Sequence, residues 1–380
     1  MKAFVFTDPS LARHAGRYVW LEIDTEKAKN APFRRKFPVQ ALPTFFIIDP
    51  VDEQVAVRWV GGMNVAQLDR LVAGDPLAAK RGGRGIDARL AHADSVYGAG
   101  DNAGAATAYE AVLAEAPAGW PGYARTVEAL LYALSQTDAP EKCVTIASAA
   151  LPRLTGLPAS SSAAAYGLDC ALSLPATNPD RPKWVAQFEQ AGRAVLADTT
   201  LAIAADDRSG LYISLLEART DAHDSTGHHA LAHEWAAFLE GAAARARTPE
   251  QRAVFDPHRL SAYLELGEPE RAVPMLEQTQ RDFPDDYNPS ARLAVAYQSM
   301  KRWPDALKAS DAAMAHAYGP RKLRIYDVRA DIQAGAGDST VARRTIEEAI
   351  QYAEALPIGQ RSDATIASFR KKLARYRATP

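Results

Sequence analysis

The sequence predicts a small α/β domain followed by an all-α array of helical repeats. Three observations carry this reading. Runs dense in β-branched and aromatic residues fall at 18–23, 44–48 and 55–60, and strand signals end before residue 86. From about residue 86 alanine-rich helical periodicity takes over. Within that part Tyr263 and Tyr297 stand 34 residues apart, as do Ala272 and Ala306, so one helical unit recurs.

The N-terminal elements follow one by one. In Thr7-Asp8-Pro9-Ser10 the aspartate can cap free N–H groups and proline at the first helical position loses no bond, which starts a short helix over about 9–15 that Gly16 closes in a left-handed conformation. Tyr18-Val19-Trp20-Leu21-Glu22-Ile23 reads as a strand, with Trp20 in a core. Asn30 can cap a second helix that ends before Pro38. The runs 44–48 and 55–60, joined by Asp49-Pro50-Val51-Asp52, predict a β-hairpin whose Trp59 also enters the core. After Gly61-Gly62, apolar residues at Val65, Leu68, Leu71 and Val72 predict a helix over 64–74.

This order of elements, with the residues Leu21-Glu22-Ile23-Asp24, Asn30-Ala31-Pro32, Phe37-Pro38-Val39 and Leu42-Pro43-Thr44, resembles the thioredoxin family from the middle of its first active-site helix onward. The resemblance implies a cis bond at Pro43 beside a redox dithiol, with Leu42, Pro43 and Thr44 contacting substrate. X–Pro is the one bond where cis costs little. The chain departs from the family in starting after the central strand and its Cys-x-x-Cys, so the domain is N-terminally truncated. A sheet without its central strand exposes unpaired backbone unless its neighbours close up. Two expectations follow. Either the native product begins upstream of Met1 and carries the dithiol there, or the domain has repacked without it.

Residues 79–85, with three glycines and three cations, read as a linker between a 1–78 domain and a helical domain over 86–376. Around Tyr263 and Ala272, and again around Tyr297 and Ala306, the chain reads as helix, tight turn and helix, with a small alanine allowing close packing. A third copy fits Gly337-Asp338 with Ala342, and an N-terminal copy fits Tyr97, Ala105 and Tyr109. These units resemble tetratricopeptide (TPR) repeats. Residues 123–255 read as helical but irregular, broken near 157–162 and 175–182. Stacked units of this kind offer an extended groove, which implies a protein or peptide client. Ala291 and Val295 stand where grooves that clamp a C-terminal carboxylate carry polar residues, so that ligand is not supported.

Composition limits the function classes. At 380 residues the chain is long enough for two or three domains. Forty-four Lys and Arg against 46 Asp and Glu leave a net charge of −2, which argues against nucleic acid as partner. No run of about 18 apolar residues is present, which rules out a spanning helix. Lys2 is followed by only four apolar residues before Thr7, short of a secretory signal, so the chain as written reads as cytoplasmic. An export signal upstream would make it periplasmic or secreted.

Candidate chemistry is sparse. His229 and His233, four apart on a helix, could offer two imidazoles to a zinc ion, but the spacing alone is a weak signal, the zinc-protease glutamate is out of place, and the pair reads as part of a solvated helix face with no metal expected. Cys143 and Cys170 read as small apolar residues on packed helices, and a bridge between them would need Cα atoms within about 7 Å. The basic run Arg370-Lys371-Lys372 reads as a solvated C-terminal cap, and Trp303 as filler between repeat helices. No phosphate-cradling loop or nucleophile elbow occurs, and no cofactor is expected. Two functional readings result. The first is a protein-interaction scaffold without a catalytic dithiol. The alternative is a thiol–disulfide oxidoreductase whose dithiol lies upstream and whose repeats select the client.

Overall fold

The computed structural model describes every residue except Gln40, Asp75, Ala78, Ala79, 81–83, Thr379 and Pro380. It divides into two compact units, Met1–Val19 with Phe37–Leu231, and Trp20–Lys36 with Ala232–Pro380. The division does not follow the expected 1–78 domain, because residues 37–60 pack with the first helices after the expected linker and residues 20–36 pack with the last ones. Most of the 79–85 linker lies outside the described residues. Its Lys80 is described, and its ammonium pairs with the carboxylates of Asp49 and Asp52.

In the first unit, Asp8 caps a 3₁₀ turn over Pro9–His14 by accepting from the Ser10 N–H, and Gly16 follows with φ of 81°. Strands β1 (Thr44–Ile48) and β2 (Val55–Val60) form an antiparallel hairpin in which Phe46 faces Arg58 and the register slips at Ile47/Ile48. Two short helices flank the hairpin in sequence: α1 (Ala31–Lys36), which belongs to the second unit, and α2 (Val65–Ala73), which belongs to the first. Asn64 and Gln67 cap α2 reciprocally, each side chain accepting the other's backbone N–H. Val5, Met63, Leu68 and Val72 form the small core beneath, with Trp59 packed against it.

The strand expected at 18–23 is not formed. Residues 19–24 have no regular structure, Val19 is 86% and Leu21 73% exposed, and Trp20 lies outside any core. Among the described residues the hairpin strands pair only with each other, so 18–23 has no ladder to join, and β-propensity alone does not hold a strand. Among the described residues the sheet has two strands, which falls short of a thioredoxin-like sheet.

The helical part of this unit comprises α3 (Ile86–Gly98), α4 (Asn102–Ala114), α5 (Tyr123–Ser135), α6 (Pro140–Leu154), α7 (Ala159–Ser173), α8 (Arg181–Ala197) and α9 (Ala205–Asp221). Each packs on its neighbour in sequence, and α5 and α9 also pack on α7. Ala105 and Tyr109 are fully buried where α3 and α4 meet. The cysteines correct the sequence reading: Cys143 on α6 and Cys170 on α7 are buried as expected, but they are joined in a disulfide with Cα atoms 6.1 Å apart. Packing of two neighbouring helices brings them together, which the 27-residue spacing could not show.

Helix α10 (Ser225–Ala244) runs across the division between the units. The second unit continues with α11 (Pro249–Ala253), α12 (Asp256–Leu266), α13 (Ala272–Asp282), α14 (Tyr287–Ser299), α15 (Trp303–His316), α16 (Arg321–Gly335), α17 (Ser339–Ala355) and α18 (Asp363–Ala378). Local signals set the boundaries: Gly267 ends α12 in the left-handed conformation, while Asp286 and Asp338 cap α14 and α17. Tyr263, Ala272, Tyr297, Ala306 and Ala342 are all buried. A Cβ on Gly335 would strike the indole of Trp303, so Trp303 packs onto the following helix pair. The C-terminal basic run is not simply solvated. Lys372 is buried and pairs with Asp327 and Asp331, while Arg370 reaches Glu354. Among the described residues no helix is long and apolar enough to cross a membrane.

Candidate interaction groove

The most organised polar constellation lies in the first unit, on the side chains that α3, α5, α7 and α9 turn toward the end of β2. Three tyrosines run across the first three helices. Tyr97 and Tyr132 meet edge to face at 6.1 Å between ring centroids, and Tyr132 and Tyr166 at 5.9 Å. The guanidinium of Arg58 lies 4.0 Å from the Tyr97 ring centroid and donates to the Tyr97 carbonyl oxygen. Arg58 is 1% exposed, so this cation is held by an aromatic face and a main-chain carbonyl with almost no water.

Carboxylates line the rest of the groove. Glu128 on α5 accepts from the Ser162 hydroxyl at 3.0 Å, and burial pushes its pKa up to about 8 against that bond and nearby Arg125. Asp207 at the start of α9 is raised by burial, then by Asp206, to about 7, with the nearby Gly62 backbone opposing the shift. Burial likewise raises Asp169 on α7 to about 6, opposed by the nearby Ser214 hydroxyl, which donates to the Gly210 carbonyl at 3.3 Å. Behind them Asp94 is fully enclosed, paired with Arg125 and accepting from the Tyr109 hydroxyl at 2.6 Å.

The hairpin enters this groove by close approach. A Cβ on Gly98 would fall 2.6 Å from Cβ of Val55, and one on Gly62 would fall 3.1 Å from Cβ of Ala204. Gly61 takes a φ of 95°, and the Asn64 amide donates to the Ala202 carbonyl at 2.8 Å. Between the hairpin end and the tyrosines remains a space of about 50 Å³, far below the few hundred Å³ that a small-molecule substrate occupies. A wider open cleft of about 670 Å³ lies between α4, α5 and α6, lined by Leu113, Val127, Leu130 and Ile146 among others. Its charged groups are spread over the rim, with Arg153 stacked 3.5 Å from the Tyr123 ring centroid.

The residues singled out from sequence fall elsewhere. Leu42 is exposed, the Leu42–Pro43 bond is cis, the Pro43 carbonyl accepts from Gly61 N–H at 2.9 Å, and the Thr44 hydroxyl donates to Ala41. Of the repeat residues, Tyr97 alone belongs to the groove. His229 and His233 are exposed on α10, and among the described residues no three His, Cys, Asp or Glu side chains gather as a metal ion would require. No cysteine among the described residues is free. The missed signal was spacing: Tyr97, Tyr132 and Tyr166 stand 35 and 34 residues apart, extending the repeat period into the stretch that reads as irregular.

No family model matches the chain, and no curated protein does. Solved structures with similar helical arrays include a tetratricopeptide repeat protein from Parabacteroides merdae ATCC 43184, at 12% identity over 77% of this chain and 87% of that one, with a TM-score of 0.42. The assembly chaperone of RpL4, Acl4, aligns at 12% identity over 78% and 99%, with a TM-score of 0.36. The TPR2AB domain of yeast Sti1, solved in a complex with pHSP90, aligns at 14% over 76% and 98%, with a TM-score of 0.29.

Proposed function

We propose that the protein is an interaction scaffold whose first unit holds an extended polypeptide segment of a partner along α5, α7 and α9. One observation carries this reading: the groove already seats main chain, with a Cβ on Gly62 falling 3.1 Å from Cβ of Ala204 and the Asn64 amide donating to the Ala202 carbonyl at 2.8 Å. Recognition through main-chain groups serves many sequences, while the tyrosine rings and acids select for aromatic or basic side chains. A partner segment would continue past Gly62 along Tyr166 and Asp169.

The test is site-specific photo-crosslinking in the full chain. A photoreactive residue replaces Ala129 or Tyr166 in the groove, or Thr145 in the open cleft as control. Intermolecular adducts enriched at the two groove positions are expected. Adducts equal to or weaker than those at Thr145 would refute the reading.

A further inference from the structure

The second unit carries an independent seat for polypeptide, built where the connections before α16 and before α18 come together. Residues 24–31 lie across it. The Tyr318 hydroxyl donates to Asp24 Oδ2 at 2.7 Å. The Arg321 backbone N–H, at the start of α16, donates to Glu26 Oε2 at 2.7 Å, and the Arg321 side chain stands 3.6 Å from the other Glu26 oxygen. Between those carboxylates the side-chain amide of Gln360 donates to two main-chain acceptors, the Thr25 carbonyl at 2.9 Å and the Lys27 carbonyl at 3.0 Å. Gln360 is 3% exposed.

Two glycines shape the seat for close backbone approach. Gly319 has a φ of 61°, and a Cβ there would collide with the Glu26 carbonyl oxygen; Gly359 has a φ of 121°, and a Cβ there would collide with the Ala31 carbonyl oxygen. The Tyr352 hydroxyl bonds the Gly319 carbonyl at 3.3 Å and fixes that turn. The seat thus reads main chain along the segment and acidic side chains at the first and third residues of an Asp-x-Glu step.

What holds the segment is almost wholly polar. Leu21 and Trp20 leading into it are exposed, and of residues 24–31 only Ala31 is buried. Exchanging such bonds for water is nearly balanced, so the segment opens more readily than a packed helix would. We propose that this seat is a docking site for an acidic, extended Asp-x-Glu segment of a partner protein, with the chain's own residues 24–31 as its tethered resident. A partner segment binds when it outcompetes that tether.

The probe is a fluorescein-labelled peptide with the sequence of residues 20–31, added to the full chain and followed by anisotropy. In a chain carrying Asp24→Ala and Glu26→Ala the seat is vacated, and saturable binding is expected, about tenfold or more tighter than to the unaltered chain. Adding Gln360→Ala to the vacated chain, or the two alanines to the peptide, should abolish it. Far-UV circular dichroism and the thermal transition verify that each variant is folded. In the unaltered chain, excess peptide should speed amide exchange in residues 24–31, a readout independent of the variants. No binding to the folded vacated chain, binding insensitive to Gln360→Ala, unchanged exchange, or dimers of the unaltered chain formed by swapping 24–31 would each overturn the proposal.

Discussion

The guanidinium of Arg58 lies over the ring of Tyr97, 4.0 Å from its centroid, and donates to the carbonyl oxygen of the same residue. One strand residue thereby fastens the hairpin to helix α3 through both the side chain and the main chain of a single tyrosine. A desolvated cation–π pair is worth about 2 kcal/mol, and a bond from a charged donor about 1.5–3 kcal/mol. Arg58→Ala should therefore destabilise the first unit by roughly 2–4 kcal/mol in urea unfolding. Arg58→Lys keeps the charge and loses the flat stacking surface, so its stability should fall between those of the parent and Arg58→Ala. Equal loss from both substitutions would show that the charge by itself contributes nothing at this position.

Gly98 offers a test in which two effects oppose. On helix propensity alone Gly98→Ala gains about 1 kcal/mol. The added Cβ, however, would come within 2.6–2.9 Å of three Val55 side-chain atoms, and overpacking of this kind costs about 1–3 kcal/mol. The clash should win, giving net destabilisation, and Val55→Ala in the same chain should restore part of it through a non-additive coupling. A Gly98→Ala protein more stable than the parent would mean that the hairpin does not approach α3 this closely.

These contacts mark where the sequence was readable and where it was not. The Asp8 cap, the left-handed Gly16, the hairpin turn after Asp49 and the helix ends at Gly267 and Asp338 rest on interactions within a few residues, which local patterns record. Residues 18–23 have as strong a β pattern as the hairpin and form no strand, because a strand depends on a neighbour that lies elsewhere in the chain. Glu128 and Asp207 look like solvated acids in sequence. Their burial arises from packing between the segment at 58–62 and helices that follow it by up to 149 positions, as with Arg58 and Asp207. Arg58 is the lone charge inside Val55–Val60, yet nothing local identifies Tyr97 as its partner.

The groove carboxylates give stability a pH dependence of definite sign. In the unfolded chain Glu128, Asp207 and Asp169 release their protons near pH 4, whereas in the fold they keep them until about 8, 7 and 6. The folded state therefore binds more protons across that window, and stability falls as pH rises through it. A tenfold gain in proton affinity on folding is worth about 1.4 kcal/mol for a fully buried group, and partial exposure of all three side chains reduces this, leaving a loss of roughly 2–4 kcal/mol between pH 5 and pH 8. Glu128→Gln should lower the slope throughout and abolish it between about pH 7 and pH 8, where of the three only Glu128 still holds its proton in the fold. Thermal melts across this range decide, and a profile identical to that of the parent would sink the assignment.

The disulfide between Cys143 and Cys170 makes a prediction about both stability and surroundings. It closes a loop with a sequence separation of 27 between α6 and α7, and the chain-entropy account assigns such a loop about 3.5 kcal/mol. Cys143 is 0% and Cys170 5% exposed, so reductants reach the bond only when the helix pair opens. The folded protein should resist alkylation without reductant, and reduction or Cys143→Ser should lower the unfolding midpoint of the first unit. Bonds of this kind persist in oxidising compartments and are rare in a reducing cytosol. Acid-quenched alkylation of cells making the protein should therefore recover both cysteines blocked from reagent until reduced. Ready alkylation of both under those conditions would show that the native chain keeps them as thiols, packed side by side as the small apolar residues they otherwise resemble.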